Sequence, residues 1–326
     1  MNIDSKVIRS TARLGQSGAF FGLGIFESSD IENTFILSAD MANPAGLKNF
    51  YTTYPQNFFN VGIAEQNLVG VAAGLANEGY NVIASAQACF LSMRSFEQIR
   101  QYCGYMKLPL VLVGVSSGFA LTYFGNTHYA LEDLGLMSSI PGMVVLSPAD
   151  CTQALKLAEM VVGTNKPVYI RCTGVPGLKP VYSEDFDFEI GKAIEVIPIA
   201  ESTTTAIFAC GSILSQLKDV VTEINQEKGQ QIVLFDMHTI SPIDENCLEG
   251  ALRFDTWISV EEHFVSSGLG SILANYISGK KVKNKPTLHK IGVQNCFSTP
   301  GDYEFLLQSN KLDKQSLHKD IIEILS

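Results

Sequence analysis

The sequence has no apolar run long enough to cross a bilayer, no basic arm or tail, no CxxC pair, no zinc-site spacing, and neither a short-period repeat nor a low-complexity tract. Each absence removes a class. Membrane-spanning helices need about twenty consecutive apolar residues, and none are found. The N-terminal stretch MNIDSKVIRSTARLGQSGAFFGLGIF carries an acidic residue early and only short apolar stretches, so it reads as neither a signal peptide nor a span. A cytoplasmic protein is expected. A formal net charge of −10 and a pI near 5.0 argue against nucleic-acid binding through a general basic surface. The seven cysteines, an odd number scattered at Cys89, Cys103, Cys151, Cys172, Cys210, Cys247 and Cys296, are expected to be reduced core residues.

What is there is a chain of 326 residues with 46% hydrophobic content, enough for a sizeable core and two domains. From about residue 10 to 180, short apolar runs alternate with helical segments, the pattern of an α/β sheet covered on both faces. The candidate strands are NTFILSA, NVIASA, LPLVLVGV, MVVLSP and KPVYIRC; helices are predicted to begin near Ser10, Ala64, Met93 and Asp150. Asp150 reads as an N-cap, able to accept bonds from unpaired first-turn amides. The stretch TGVPGLKPVYSEDFDFEIG, rich in Pro, Gly and acids, suits an exposed connection. A second alternation follows. The predicted division is 1–185 and 186–326, each a mainly parallel sheet flanked by helices.

Residues 58 to 67 read FFNVGIAEQN and run into LVGVAAGLANEGY. Phe58, Phe59, Val61 and Ile63 suit a buried strand, while Leu68, Val69, Ala72, Ala73, Leu75 and Ala76 recur at helical spacing until Gly79 supplies a stop. Glu65 is thereby placed in the opening turn of a helix at an edge of the core. Taken alone, such a carboxylate complements the helix dipole. Two further residues draw attention. His128, in GNTHYALEDLGLM, is the one histidine of five set in a Gly-Asn loop between a strand and a helix, where catalytic groups are commonly displayed. Phe90, in FLSMRSFEQIR, reads in isolation as ordinary core packing.

Together these strings resemble, from Arg13 to the C-terminus, the separately encoded C-terminal subunit of split transketolases, which are thiamin diphosphate enzymes. The resemblance implies that Glu65 hydrogen-bonds the N1′ nitrogen of the cofactor's aminopyrimidine, favouring the imino tautomer that deprotonates the thiazolium C2 carbon. It implies a cofactor-binding set of Asp40, Met41, Glu65, Phe90 and Arg94, with Ser38-Ala39-Asp40-Met41 near the pyrimidine and Phe90 stacked on it. His128 would stabilise a developing alkoxide or assist proton transfer during carbon–carbon cleavage. In that family Mg²⁺ is held by a Gly-Asp-Gly segment followed by an asparagine on a preceding domain. This chain contains no Gly-Asp-Gly, and its only Gly-Asp is Gly301-Asp302. No metal ligand is therefore expected here: the resemblance implies an N-terminal partner subunit that grips the diphosphate and Mg²⁺, in an α2β2 assembly.

The substrate segments depart from the family pattern. Phe124-Gly125-Asn126-Thr127-His128 has an apolar ring where usual members carry the aspartate that bonds a sugar hydroxyl. Ser116 stands where the sugar-phosphate enzymes have a second histidine, and Gly174 where they have a phosphate-binding arginine. Arg13, in the segment matching the family's first helix, is left as the candidate anion contact, since losing a bidentate arginine removes much of the selectivity for phosphate. The substrate set is Arg13, Ser116, Phe124, Asn126 and His128. The expected reaction is transfer of a two-carbon ketol or acyl unit to an aldehyde or ketone acceptor, with the usual pentose phosphates disfavoured. Two alternatives stand beside it: the beta subunit of a 2-oxoacid dehydrogenase decarboxylase, and a non-catalytic scaffold that keeps the fold.

Overall fold

Nearly continuous apolar runs dominate the first half, the signature of strands buried on both faces. A computed structural model describes residues 5–27, 31–229 and 231–326, so the first four residues of the N-terminal stretch weighed as a leader lie outside the described residues. In it β1 (Thr34–Ser38), β2 (Phe58–Asn60), β3 (Asn81–Gln87), β4 (Leu110–Ser117), β5 (Val144–Leu146) and β6 (Val168–Thr173) lie parallel. β7 (Ile194–Ile197), β8 (Thr203–Cys210), β9 (Gln231–Asp236), β10 (Thr239–Ser241), β11 (Thr256–Phe264) and β12 (Thr287–Val293) follow. The helices before and between the first six strands are α1 (Ser5–Thr11), α2 (Gly15–Ala19), α3 (Lys48–Thr53), α4 (Glu65–Asn77), α5 (Phe96–Ile99), α6 (Asp133–Ser138) and α7 (Cys151–Val161). The second half adds α8 (Leu214–Lys228), α9 (Glu245–Ala251), α10 (Leu269–Gly279), α11 (Tyr303–Ser309) and α12 (Lys314–Leu325).

The two sheets run β10-β5-β6-β4-β3-β1-β2 and β12-β11-β8-β9-β7. Both are parallel apart from one edge strand each: β10 is antiparallel to β5, and β7 to β9. β10 comes from the second half of the chain and joins the first sheet. The two lobes also share a core, because one cluster of buried side chains runs from Leu37, Leu112 and Tyr169 through Val145 and Ile240 to Phe208, Trp257 and Leu273. No helix of the described residues is long and apolar enough to cross a membrane.

All five strands expected of the first half form, and Asp150 caps α7, its Oδ1 accepting the Gln153 amide at 2.9 Å. Five expectations need correction. The strand before Glu65 is not buried: β2 is a three-residue edge strand, and Ile63 is 72% exposed, because no strand lies beyond it and Gly62 (φ +76°) turns the chain away. The helix predicted near Ser10 instead ends there, at Thr11, and a new one starts at Gly15 (φ +72°). The helix near Met93 begins earlier, as a π-helical turn over Phe90–Arg94 that runs into α5; Ser92 and Ser95 hydroxyls bond the Ala88 and Leu91 carbonyls and draw the backbone aside. The segment after Arg171 is less a free tether than its composition implies. Asp150 Oδ2 accepts the amides of Val181 and Tyr182 at 2.8 and 2.9 Å, and Lys156 pairs with Asp185. The cysteines are all free; five are buried, but Cys247 is half-buried and Cys296 exposed.

Candidate cofactor and substrate site

In open parallel sheets, ligands bind outside the carboxyl ends of the strands where the strand order reverses. Here that place is the end of β1, which carries β2 on one side and β3 on the other. Ser38 closes β1 and its hydroxyl accepts the Met41 amide at 3.0 Å, while Asp40 adopts a left-handed backbone (φ +57°). The Asn60 side chain accepts the amides of Asp40 and Gly62 at 3.1 and 3.0 Å, tying the end of β1 to the turn that delivers α4. Glu65 is the first residue of that helix and only 2% exposed. One of its oxygens takes Arg94 Nη1 at 2.7 Å. Arg94 itself is 45% exposed and its guanidinium lies 4.2 Å from the centre of the Phe90 ring, four residues back across the π-helical turn.

The opposite wall is the loop after β4. Ser116 has a left-handed backbone (φ +55°), and its carbonyl accepts the Gln87 amide group at 3.3 Å. His128 faces Phe90 edge-on at 5.2 Å between ring centres and Phe124 at 5.0 Å, and its Nδ1 meets the Thr127 hydroxyl at 2.9 Å. Between the walls is a cavity of about 310 Å³. It is lined by Asp40, Met41, Glu65, Phe90, Ser116, Phe124 and His128, residues contributed after four adjacent parallel strands, β2, β1, β3 and β4. Its charged groups are two carboxylates; no lysine or arginine lines it. The neighbouring Cys89 thiol is pushed up to about 12 by burial and stays neutral at ordinary pH.

Not every predicted residue is there. Arg94 reaches the cavity only through Glu65 and the Phe90 ring. Asn126 turns to the second lobe, its side chain donating to the Ser298 carbonyl at 2.8 Å and accepting the Ser298 amide at 3.0 Å. Arg13 is exposed, just past the end of α1, and does not line the cavity. Conversely Ile63, Gln87 and Leu121 line it without having been singled out for this. Gln87 left one sign in the sequence, a polar side chain closing an otherwise apolar strand.

Two family models match the chain: the transketolase pyrimidine binding domain over residues 27–173 and the transketolase C-terminal domain over 195–317. A putative transketolase C-terminal section from Methanocaldococcus jannaschii is 33% identical over 90% of this chain and 90% of its own length. The chain belongs to the transketolase family. One of the subunits of an apulose-4-phosphate transketolase from Phocaeicola vulgatus is 31% identical, over 89% of this chain and 90% of that protein. A 6-deoxy-6-sulfo-D-fructose transketolase subunit from Clostridium sp. (strain MSTE9) is 30% identical, over 88% and 87%. Among solved structures, one described as a split gene transketolase, inactive beta4 tetramer, superimposes with a TM-score of 0.78 at 31% identity, covering 97% of each chain.

The chain thus corresponds to the C-terminal subunit of a split transketolase, and the family identifies the ligand against which the cavity is to be judged. Thiamin diphosphate has a flat aminopyrimidine that must meet a carboxylate at N1′, and an anionic diphosphate that must meet cations. The cavity offers a buried carboxylate with one oxygen committed to Arg94, beside an aromatic ring and an apolar surround. It fits the pyrimidine end. It offers no cation for the other end, and among the described residues no group of three or more His, Cys, Asp or Glu side chains stands close enough to hold a metal ion.

Proposed function

We propose that this transketolase-family chain is the pyrimidine-side subunit of a two-component, thiamin diphosphate-dependent transferase, moving a two-carbon ketol or acyl unit onto an aldehyde or ketone acceptor. The observation that carries the reading is the convergence of Glu65, Phe90 and His128 on one cavity at the carboxyl ends of adjacent parallel strands. Glu65, kept in place by Arg94 on one oxygen, would hold the pyrimidine nitrogen and share its proton; Asp40, Met41 and Phe90 would border the ring. When bound, the cofactor supplies the nucleophilic carbon and the electron sink for carbon–carbon cleavage. His128 works on the substrate side. Its imidazole, anchored at Nδ1 by Thr127, would stabilise an oxygen that gains charge as a carbonyl is attacked. Mg²⁺ and the diphosphate are held by an N-terminal subunit, and two copies of each chain make the working assembly. Seven free cysteines favour a cytoplasmic setting. The division of the chain at residues 185 and 186 is part of the same reading.

The substrate is unlike a pentose phosphate at the loop. Phe124 is 65% exposed against the cavity where a carboxylate would grip a hydroxyl, Ser116 offers one small hydroxyl, and no lysine or arginine lines the cavity for a phosphate. The named relatives that act on apulose 4-phosphate and on a sulfo-deoxy sugar support a departure from the usual donors. Calorimetric titration of thiamin diphosphate with Mg²⁺, into the chain alone and into its mixture with an N-terminal subunit, tests the cofactor reading. Tight binding only in the mixture is expected. No binding in either would leave the fold as a scaffold and overturn the proposal. Phe124→Asp tests the substrate reading, with activity toward simple ketose phosphates expected to rise relative to the parent.

A further inference from the structure

The loop that carries His128 is exposed at its tip, with Tyr123 71% and Phe124 65% exposed, and the imidazole rests between the Phe90 ring and that of the exposed Phe124. Its neck is another matter. The chain leaves β4 at Gly118 (φ +64°) and returns at Ala130, and these two residues exchange backbone bonds of 3.0 and 3.2 Å. On the outgoing side the Glu262 carboxylate, from β11, accepts the Phe119 amide at 2.6 Å through Oε1; its Oε2 accepts the Tyr303 hydroxyl at 2.5 Å. It presses so close that a Cβ at Gly118 would collide with it. On the returning side Arg171, 1% exposed, donates Nη2 to the carbonyls of Ala130 and Glu262 at 2.9 Å each and Nε to Asp133 at 2.9 Å. β11 continues the grip, since the Phe264 amide bonds the Leu131 carbonyl at 3.1 Å and His263 Nε2 accepts the Leu134 amide at 3.2 Å. The tip is held once more by the paired bonds between Asn126 and Ser298.

We propose that the C-terminal lobe is the clamp of the substrate loop, with Glu262 the positioning residue that sets the His128 imidazole through the loop's neck. Glu262 and Arg171 do not line the cavity, so they act on the chemistry only through the backbone they hold. A buried carboxylate that accepts a backbone amide at short range fixes that amide more firmly than a neutral acceptor would. The proposal rests on the reading of His128 as the substrate-side group, and it assigns the second lobe a task at the active site although that lobe contributes nothing to the cavity wall.

The test compares Glu262→Ala with Glu262→Gln, which restores an acceptor of the same reach. In the chain alone, amide hydrogen exchange should rise at least about tenfold across residues 117–131 in Glu262→Ala and stay within about twofold in α4, which belongs to the cofactor wall. In the complex with the N-terminal subunit, thiamin diphosphate affinity should stay within about threefold while kcat/KM for the acceptor falls at least about tenfold, since small misplacements of a reacting group are costly. Glu262→Gln should recover most of both. Equal acceleration of exchange in the loop and in α4 would mean general destabilisation, and an unchanged loop would mean no clamp; either overturns the proposal. Should Glu262→Ala fail to fold, Tyr303→Phe removes one donor without changing shape, and the same contrast, at about threefold, decides. A loosened loop in Glu262→Ala together with normal turnover in His128→Ala would uphold the clamp and overturn the role given to His128.

Discussion

Glu65 and Glu262 are equally buried, each about 2% exposed, yet they sit in opposite circumstances. Glu262 is saturated: a backbone amide, the Tyr303 hydroxyl and, at 3.4 Å, the Ser212 hydroxyl all point at it. Among the described residues Glu65 has one side-chain donor, the half-exposed Arg94, and a cavity on its other side. Burying a carboxylate is costly unless its lone pairs are met. A saturated carboxylate therefore holds structure, and an under-bonded one beside a cavity marks a place for a ligand. The same contrast extends to the regions around them. The cofactor wall is made of strand ends and short turns with few cross-links, whereas the junction between lobes concentrates Asp133, Arg171, Glu261, Glu262 and His263, all nearly or fully inaccessible to solvent.

The contrast is broken most severely at Arg171. Arg171→Met removes the partner of Asp133 and two carbonyl contacts, and should cost about 3–5 kcal/mol of stability, because it leaves a carboxylate buried and unpaired. Urea unfolding of the variant measures it. A loss below about 1 kcal/mol would mean that the junction is not held by this pair. Glu65→Gln, in the other region, should scarcely move the urea midpoint but lower turnover of the reconstituted enzyme about 10²–10⁴-fold, the range for losing a positioned proton-transfer group. Activity near that of the parent would remove Glu65 from the mechanism. His128→Ala should lower kcat by about 10²-fold with cofactor affinity retained; a defect confined to cofactor affinity would contradict its placement on the substrate wall.

The smallest effect sharpens the comparison through pH. Asp236, at the end of β9, is raised to about 7 by burial, against the opposing pull of the Tyr182 hydroxyl and the Gln153 amide. Its folded value lies above its ordinary 3.8, so what it contributes to stability is complete below that pH and is lost as pH rises through about 7. Glu261, also raised to about 7 by burial, acts in the same direction. His238 and His263, lowered to about 4 by burial, act oppositely: their contributions are present above about 6.5 and lost as pH falls through about 4. Asp236→Asn isolates one member of this set. The stability difference between parent and variant should shift in the variant's favour by at most about 1.4 kcal/mol per pH unit from pH 5 to 7, then level off. Parallel urea-midpoint curves for the two proteins would show that Asp236 does not titrate in that window.

Much of the cavity wall was legible in the sequence because its signals are local. An apolar strand followed by a helix start fixes where Glu65 lies along the chain, and a Gly-Asn loop between strand and helix marks His128. The differences between expectation and structure came where the outcome depended on distant neighbours. Phe58 to Ile63 has the composition of a core strand, but whether it is covered depends on its place at the sheet edge. Asn126 stands two residues before His128, yet its amide goes to Ser298 in the other lobe. Arg13 matched a motif and ended up exposed, away from the cavity. The polar junction left one trace, since Glu261, Glu262 and His263 in SVEEHFVSSGLGS resemble a family segment that packs near the domain junction. What they hold appears only once β11 is set between β8 and β12, where its end meets the loop after β4.

The sequence by itself determined the α/β class, the five core strands of the first sheet, the capped start of α7 and the family, since hydrophobic period, caps and motif strings are properties of neighbouring residues. Only the tertiary structure decided that side chains from four strand ends share one cavity, that β10 crosses into the first sheet, and that the second lobe grips the His128 loop. Such contacts join residues far apart in the chain, as Asn126 meets Ser298 and Phe119 meets Glu262. Their energetics depend on which backbone groups and charges are left buried together, and no local pattern encodes that.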